Sequence, residues 1–307
     1  MGQARTGLYL AGLLLACALI TSRLGLVLHE FVGHGGAAML VGGHVTKVHL
    51  FWFAGGWINY EFPAPPSIGQ QLFISMGGII VEVIVGLVTL AIARRGDSLG
   101  RKLARAMGAT MIMHGTWYFA NGAWSGWGDG LLLYNTTGTA RFPIAIAAAL
   151  VVCTIGFLTA RAIIGPLRGT QRTFLAFVAA TVLAGGILGG LYAGELRLRA
   201  DPVYSVIMQS EQQREVAMDL AKWEHYEQQK GEISAARRAA EKARLEDTHH
   251  TFPFGWVLGI AAVLSVLAGA WKSTRIETVI EPRLLTRAAI LASASVALVI
   301  AIDLVTR

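Results

Sequence analysis

Seven apolar windows lie at about residues 6–41, 69–93, 103–122, 143–164, 172–195, 254–271 and 285–305. Each can cross the roughly 30 Å hydrocarbon core of a bilayer, which takes a helix of about 20 residues. No other feature restricts the fold as strongly, because in hydrocarbon only helices and closed barrels satisfy their own backbone hydrogen bonds. Composition agrees: 54% of the residues are hydrophobic and 15% charged, against about a quarter charged in soluble domains. The expected fold is therefore an all-α polytopic membrane protein with about seven transmembrane helices. The first window is long for one helix, and a turn at Ser22-Arg23 would make eight spans. No Pro or Gly-rich turn chemistry accompanies that pair, so one long helix ending at Gly42-Gly43 is expected. Cys17 and Cys153 both fall inside apolar windows and read as small hydrophobes with no disulfide framework.

Two stretches break the helical pattern. His44 to Pro66 carries β-branched and aromatic residues, a Gly55-Gly56 pair, and then Pro63, Pro65 and Pro66. It predicts a β-hairpin at the membrane face, with strands Val45 to Phe53 and Trp57 to Phe62 and an edge that must find protein cover. Arg197 to His250 is the one sizeable polar segment and reads as a helical extramembrane arm interrupted near Gly231. From Glu195 to Asp247 it holds eleven acidic and nine basic residues, a mixed-charge solvated surface and not a nucleic-acid patch.

The chemistry concentrates in His29-Glu30-Phe31-Val32-Gly33-His34, inside the first window. Ionisable clusters within a membrane segment are costly and mark functional sites by default. Two neutral imidazoles can ligate a metal while the adjacent Glu stays off it and takes a proton from the attacking water. The usual spacing places the histidines four apart; here they are five apart. At about 100° per residue, positions five apart on an α-helix diverge by about 140°, against about 40° for four apart. A π-bulge, helped by Gly33, would restore convergence, as would an early helix end with a bend at Gly33-Gly35-Gly36. Alternatively, His29 and His34 are separate polar residues satisfied by neighbouring helices, and Glu30 is a counter-charge in a transport path.

Read onward, Leu28-His29-Glu30-Phe31-Val32-Gly33-His34 with Gly42-Gly43-His44-Val45-Thr46-Lys47-Val48, Ser75-Met76-Gly77-Gly78, and Asn121 followed eight residues later by Asp129-Gly130 resembles the site-2 protease family. The resemblance covers roughly residues 24–134. It implies an intramembrane zinc metalloendopeptidase with Glu30 as catalytic base and His29, His34 and Asp129 as zinc ligands. Asn121 would hold substrate, and the first hairpin strand, with Val45, Lys47 and His49, would capture an extended substrate segment by β-addition. Residues 1–134 would form the catalytic membrane core and 135–196 additional transmembrane helices. The polar arm would follow at 197–252 and a C-terminal transmembrane helix pair at 253–307. The implied partners are a transmembrane or membrane-anchored protein substrate and the lipid bilayer, in a multi-pass protein of a bacterial plasma membrane.

His114 stands seven residues before Asn121, on the same helix face, and reads either as a substrate-facing group or as an interhelical hydrogen-bonder. Glu82, in the second window, would line a water path or bond to a neighbouring helix. A non-catalytic relative, or a proton-coupled carrier using the His/Glu cluster, is the competing class. Lys and Arg in the short loops, among them Arg94, Arg95, Arg101, Lys102, Arg168, Lys272 and Arg275, place the site toward the extracytoplasmic face by the positive-inside rule; the family resemblance implies the cytoplasmic face.

Overall fold

The computed structural model describes residues 3–95, 98–164, 171–229, 232–271 and 282–306. The chain is mostly helical with one small sheet. Helix α1 (Gln3–Val27) runs without interruption through Ser22-Arg23 into a π-helical segment (Leu28–Gly35) and a short α2 (Gly36–Leu40). The two-span alternative is therefore not what forms. Arg23 is accommodated mid-helix because its Nη1 donates to the carbonyls of Phe51 (3.1 Å) and Ala54 (2.9 Å), which satisfies a charge that hydrocarbon would otherwise reject.

Strands β1 (His44–Leu50) and β2 (Gly56–Glu61) pair antiparallel, from His44 opposite Glu61 to Leu50 opposite Gly56, with a bulge between Val45 and Lys47. The expected hairpin is present, although its strands stop short of Phe53 and Phe62 and Phe51 to Gly55 form an irregular tip. Val48 and Leu50 are buried against Leu26 of α1 and Val299 of the last helix. Protein thus covers the hairpin's apolar face.

Helices α3 (Ile68–Ala93), opened by a Ser67/Gln70 capping box, and α4 (Leu99–Ser125) follow. The short α5 (Leu131–Thr137) precedes the long α6 (Arg141–Ile164) and α7 (Gln171–Arg199). The arm consists of α8 (Pro202–Ile207), α9 (Glu211–Gln228) and α10 (Ala235–Thr248). The last two pack through Val216, Leu220, Trp223 and Leu245. Its expected interruption near Gly231 lies outside the described residues, as do Arg168, Lys272 and Arg275 of the loop-charge comparison. Helices α11 (Phe254–Trp271) and α12 (Pro282–Thr306) complete the chain.

Among the described residues six segments are long and apolar enough to cross a membrane: Gly7–Leu40, Ile68–Ala93, Gly128–Ala162, Phe177–Arg199, Phe254–Trp271 and Arg283–Thr306. The window expected at 103–122 is helical, as α4, but does not join this set. His114, Trp117, Tyr118 and Asn121 stand where aliphatic residues would be needed. Two of them bond to neighbouring helices: Trp117 Nε1 donates to the Gly255 carbonyl of α11 (2.8 Å), and His114 meets Glu82 of α3.

Helix α1 is central. Its Tyr9, Leu13, Ala16 and Ile20 bury against Ala288 and Ala292 of α12, and Leu10 and Ala11 against Ala180 of α7. A second cluster joins α4, α6 and α11 through Ala120, Ala148, Val152 and Leu258. The His/Glu segment lies where α1, α3 and α4 meet.

Candidate metal centre

The departure from α geometry expected between Glu30 and His34 is present and extends over Leu28–Gly35. Hydrogen bonds that skip one residue further place positions five apart over one another. The imidazoles of His29 and His34 accordingly come together edge-on, with ring centroids 4.8 Å apart. Gly33 matters here for a reason beyond backbone freedom. A Cβ at this position would lie 2.6 Å from the Gly78 backbone nitrogen, so Gly33 and Gly78 let the π segment and α3 touch backbone to backbone. A Cβ at Gly78 would in turn fall on the His29 ring. The small residues opening α3 therefore make room for a ligand ring.

Asp129 arrives from α4 through a glycine-built turn. Gly126 (φ +61°) ends the helix in the left-handed region and returns its N–H to the Gly122 carbonyl, and Gly128 (φ +57°) is also left-handed. Both conformations suit glycine. Gly130 packs directly on Gly122, where neither position has room for a side chain. The turn folds back and sets Asp129 Oδ2 3.0 Å from His29 Nε2 and 3.1 Å from His34 Nε2. One ligand atom from each of these three residues lies within 4.8 Å of the others, a group that can hold a metal ion.

The outer nitrogens determine which protons are present. His34 Nδ1 lies 2.7 Å from the Ile74 carbonyl, which only accepts, so Nδ1 carries the proton and donates it. His29 Nδ1 lies 3.2 Å from Glu82 Oε1, and the other Glu82 oxygen lies 2.8 Å from His114 Nδ1. With Nδ1 occupied as a donor, each neutral imidazole turns the lone pair of Nε2 toward the Asp129 carboxylate. Three acceptors facing one point repel unless protons or a cation lie between them. Imidazole ligands whose other nitrogen is tied to a carboxylate or carbonyl are the usual arrangement around protein-bound metals.

Glu30 is buried and stands outside this ligand group. It lines a cavity of about 520 Å³ together with His29, Asp129, His114, Tyr118 and Trp127. The cavity follows α1 and the start of the π segment from Ala18 to Glu30 and is roofed by the hairpin tip, Phe53 to Gly56, with walls from α7 (Leu188, Gly189, Tyr192) and α8 (Tyr204, Ile207). A Cβ on Gly56 would come within 3.3 Å of Glu30 Oε1, so the tip is closely fitted over this carboxylate.

The tip is itself clamped by charged residues of the later helices. Glu195 of α7 accepts from the backbone N–H groups of Trp52 (2.6 Å), Phe53 (2.6 Å) and Ala54 (3.0 Å). Arg199 ties Glu195 to the fully buried Asp303 of α12, at 3.0 Å each, and Asp303 accepts from Trp52 Nε1. Sequence reasoning missed Arg23, Glu195, Arg199 and Asp303. The rule that intramembrane charges mark function singles out Arg23 and Asp303, yet nothing in the pattern tells which loop they hold.

The expected substrate contacts divide. His114 lines the cavity. Asn121 does not: its Oδ1 accepts from Ser125 Oγ (3.3 Å), and it packs against Gly255 of α11. Val45, Lys47 and His49 are also absent from the lining. Val45 packs with the Leu26–Val299 cluster, Lys47 Nζ lies 5.4 Å from the Trp57 ring centroid, and His49 sits between Asp201 (3.4 Å) and Asp303 (3.5 Å). The hairpin reaches the cavity through its tip, while Val45 and His49 of β1 are taken up by α12 and Asp201, and Lys47 by the Trp57 ring. His249 bridges Glu215 (3.3 Å) and Asp219 (3.1 Å) within the arm.

Compared with known proteins, the chain matches no family model, no curated protein and no solved structure.

Proposed function

We propose that the protein is a zinc-dependent intramembrane endopeptidase of the site-2 protease type, acting on membrane-spanning or membrane-proximal protein segments. The observation that carries this reading is the convergence of His29 Nε2, His34 Nε2 and Asp129 Oδ2 at the end of a cavity containing a buried glutamate. Ligands about 2.0–2.1 Å from a tetrahedral zinc stand about 3.3 Å apart, and the two nitrogen–oxygen separations here are 3.0 and 3.1 Å. Two imidazoles and one carboxylate match the donor set of catalytic zinc sites, which keep one position open.

His29, His34 and Asp129 would hold the ion, and zinc when bound supplies Lewis-acid chemistry to a peptide carbonyl. The remaining work belongs to the chain. Glu30, adjacent to His29 and facing the cavity, takes the proton of the attacking water and returns it to the departing amine. Glu82 holds the His29 ring and His34 is held by the Ile74 carbonyl, so neither ligand has to be ordered during reaction. Twelve helical steps from Ala18 to Glu30 span about 18 Å, the length of about five residues of extended chain. A substrate helix must be unwound to lie there, which frees its carbonyls from internal hydrogen bonds.

Glu30→Gln should abolish cleavage of a membrane-embedded reporter while the purified variant keeps its zinc; retained turnover would refute the assignment. One zinc per chain, lost in His29, His34 or Asp129 variants, separates this reading from a carrier that uses the line His29–Glu82–His114 for protons.

A further inference from the structure

Arg23 is the one Lys or Arg side chain lining the cavity among the described residues. Its residue exposure is 6%. Nε donates to Ser22 Oγ (3.3 Å) and Nη1 to the Phe51 and Ala54 carbonyls. Nη2, with two N–H groups, has no partner among the described residues. The tip carbonyls take Nη1 and Ser22 takes Nε, while the residue lines the cavity a substrate would fill. Glu195, the nearest acidic group on α7, is already engaged by three backbone N–H groups and by Arg199.

Resting on the peptidase reading above, we propose that Arg23 is a specificity-determining residue that binds a carboxylate of the substrate about three residues from the bond to be cut. The distance follows from the helix. Arg23 precedes Glu30 by seven residues, about 10 Å along the axis, and an extended chain covers that in about three residues. The chemistry follows from the guanidinium, which cannot be deprotonated and presents planar N–H donors suited to carboxylates. No other Lys or Arg lines the cavity among the described residues, so at this position a neutral acceptor gains a hydrogen bond and a carboxylate gains a charge-assisted one. The carboxylate can come from an Asp or Glu side chain or from the end of a chain.

The test measures equilibrium binding without turnover, using Glu30→Gln protein in phosphatidylcholine nanodiscs and fluorescent apolar peptides. One set carries Glu or Gln three residues to either side of the centre; another pairs a free C-terminal carboxylate with its amide. A hydrogen bond to a charged group contributes about 1.5–3 kcal/mol, so the acidic member of one pair should bind about 10- to 100-fold tighter. The pair showing the preference identifies the source of the carboxylate. Arg23→Gln should bring that ratio to about one while the neutral peptide still binds, and Arg23→Lys should fall between. Equal binding of acidic and neutral peptides to the Arg23-bearing protein overturns the proposal without requiring any variant to fold, as does an unchanged ratio in Arg23→Gln. The acidic preference found in Glu30→Gln protein, together with no cleavage of a membrane-embedded reporter by the Glu30-bearing parent, would instead fail the peptidase reading alone. If no peptide binds, both readings fall.

Discussion

Deleting Val32 tests the link between chain spacing and metal geometry. Val32 is 54% exposed, so its removal takes little from the core. The deletion leaves His29 and His34 four apart, where a plain α-helix sets them about 40° from one another. The π segment then has nothing to correct and should revert to α-helix, with Gly33 still against Gly78 and Asp129 still facing both rings. Zinc affinity should stay within about tenfold of the parent, or about 1.4 kcal/mol. Inserting an alanine after Val32 gives the opposite result. Six apart, the rings diverge by about 120° on an α-helix, and one ligand is lost, for a drop of more than about 100-fold, or about 2.7 kcal/mol. Chelator-competition titration of purified protein reads both affinities, and circular dichroism checks that helix content is kept. A deletion variant that stays folded but binds no zinc would refute the argument that the π segment serves to converge the histidines.

Three further outcomes follow from the same geometry. Glu82→Leu removes the acceptor holding His29 Nδ1 (3.2 Å), and loss of such an outer partner typically lowers metal affinity by about 10- to 100-fold; the same titration should show it, with Glu82→Gln milder because an amide oxygen still accepts. Gly78→Ala places a methyl group 2.5 Å from His29 Cδ2, an overpacking of about 1–3 kcal/mol that should appear as a lower unfolding midpoint together with weaker zinc binding. Glu195→Gln replaces one accepting oxygen with a donor opposite backbone N–H groups, at a cost of about 1–3 kcal/mol; hydrogen exchange at Trp52, Phe53 and Ala54 should rise while zinc content is unchanged.

The sequence alone determined that this is a helical chain with segments long and apolar enough to cross a membrane, because apolar length is a local property. It also determined where the hairpin and arm interrupt the spans. The His29-to-His34 spacing was legible as a geometric problem, and the π segment is its solution, since five-residue spacing leaves few ways to converge two rings. Only the tertiary structure decided what those elements meet. Asp129 reaches the histidines because glycines at 122, 126, 128 and 130 let a turn fold onto α4. Asn121 turns to α11, and polar groups of α4 that keep it from counting among the six apolar spans bond to α3 and α11. Arg23, Glu195, Arg199 and Asp303 lie far apart in sequence, and each alone reads as a stray charge. Their common purpose, holding the hairpin tip above Glu30, depends on contacts across up to 251 positions of this chain, and no local pattern encodes such contacts.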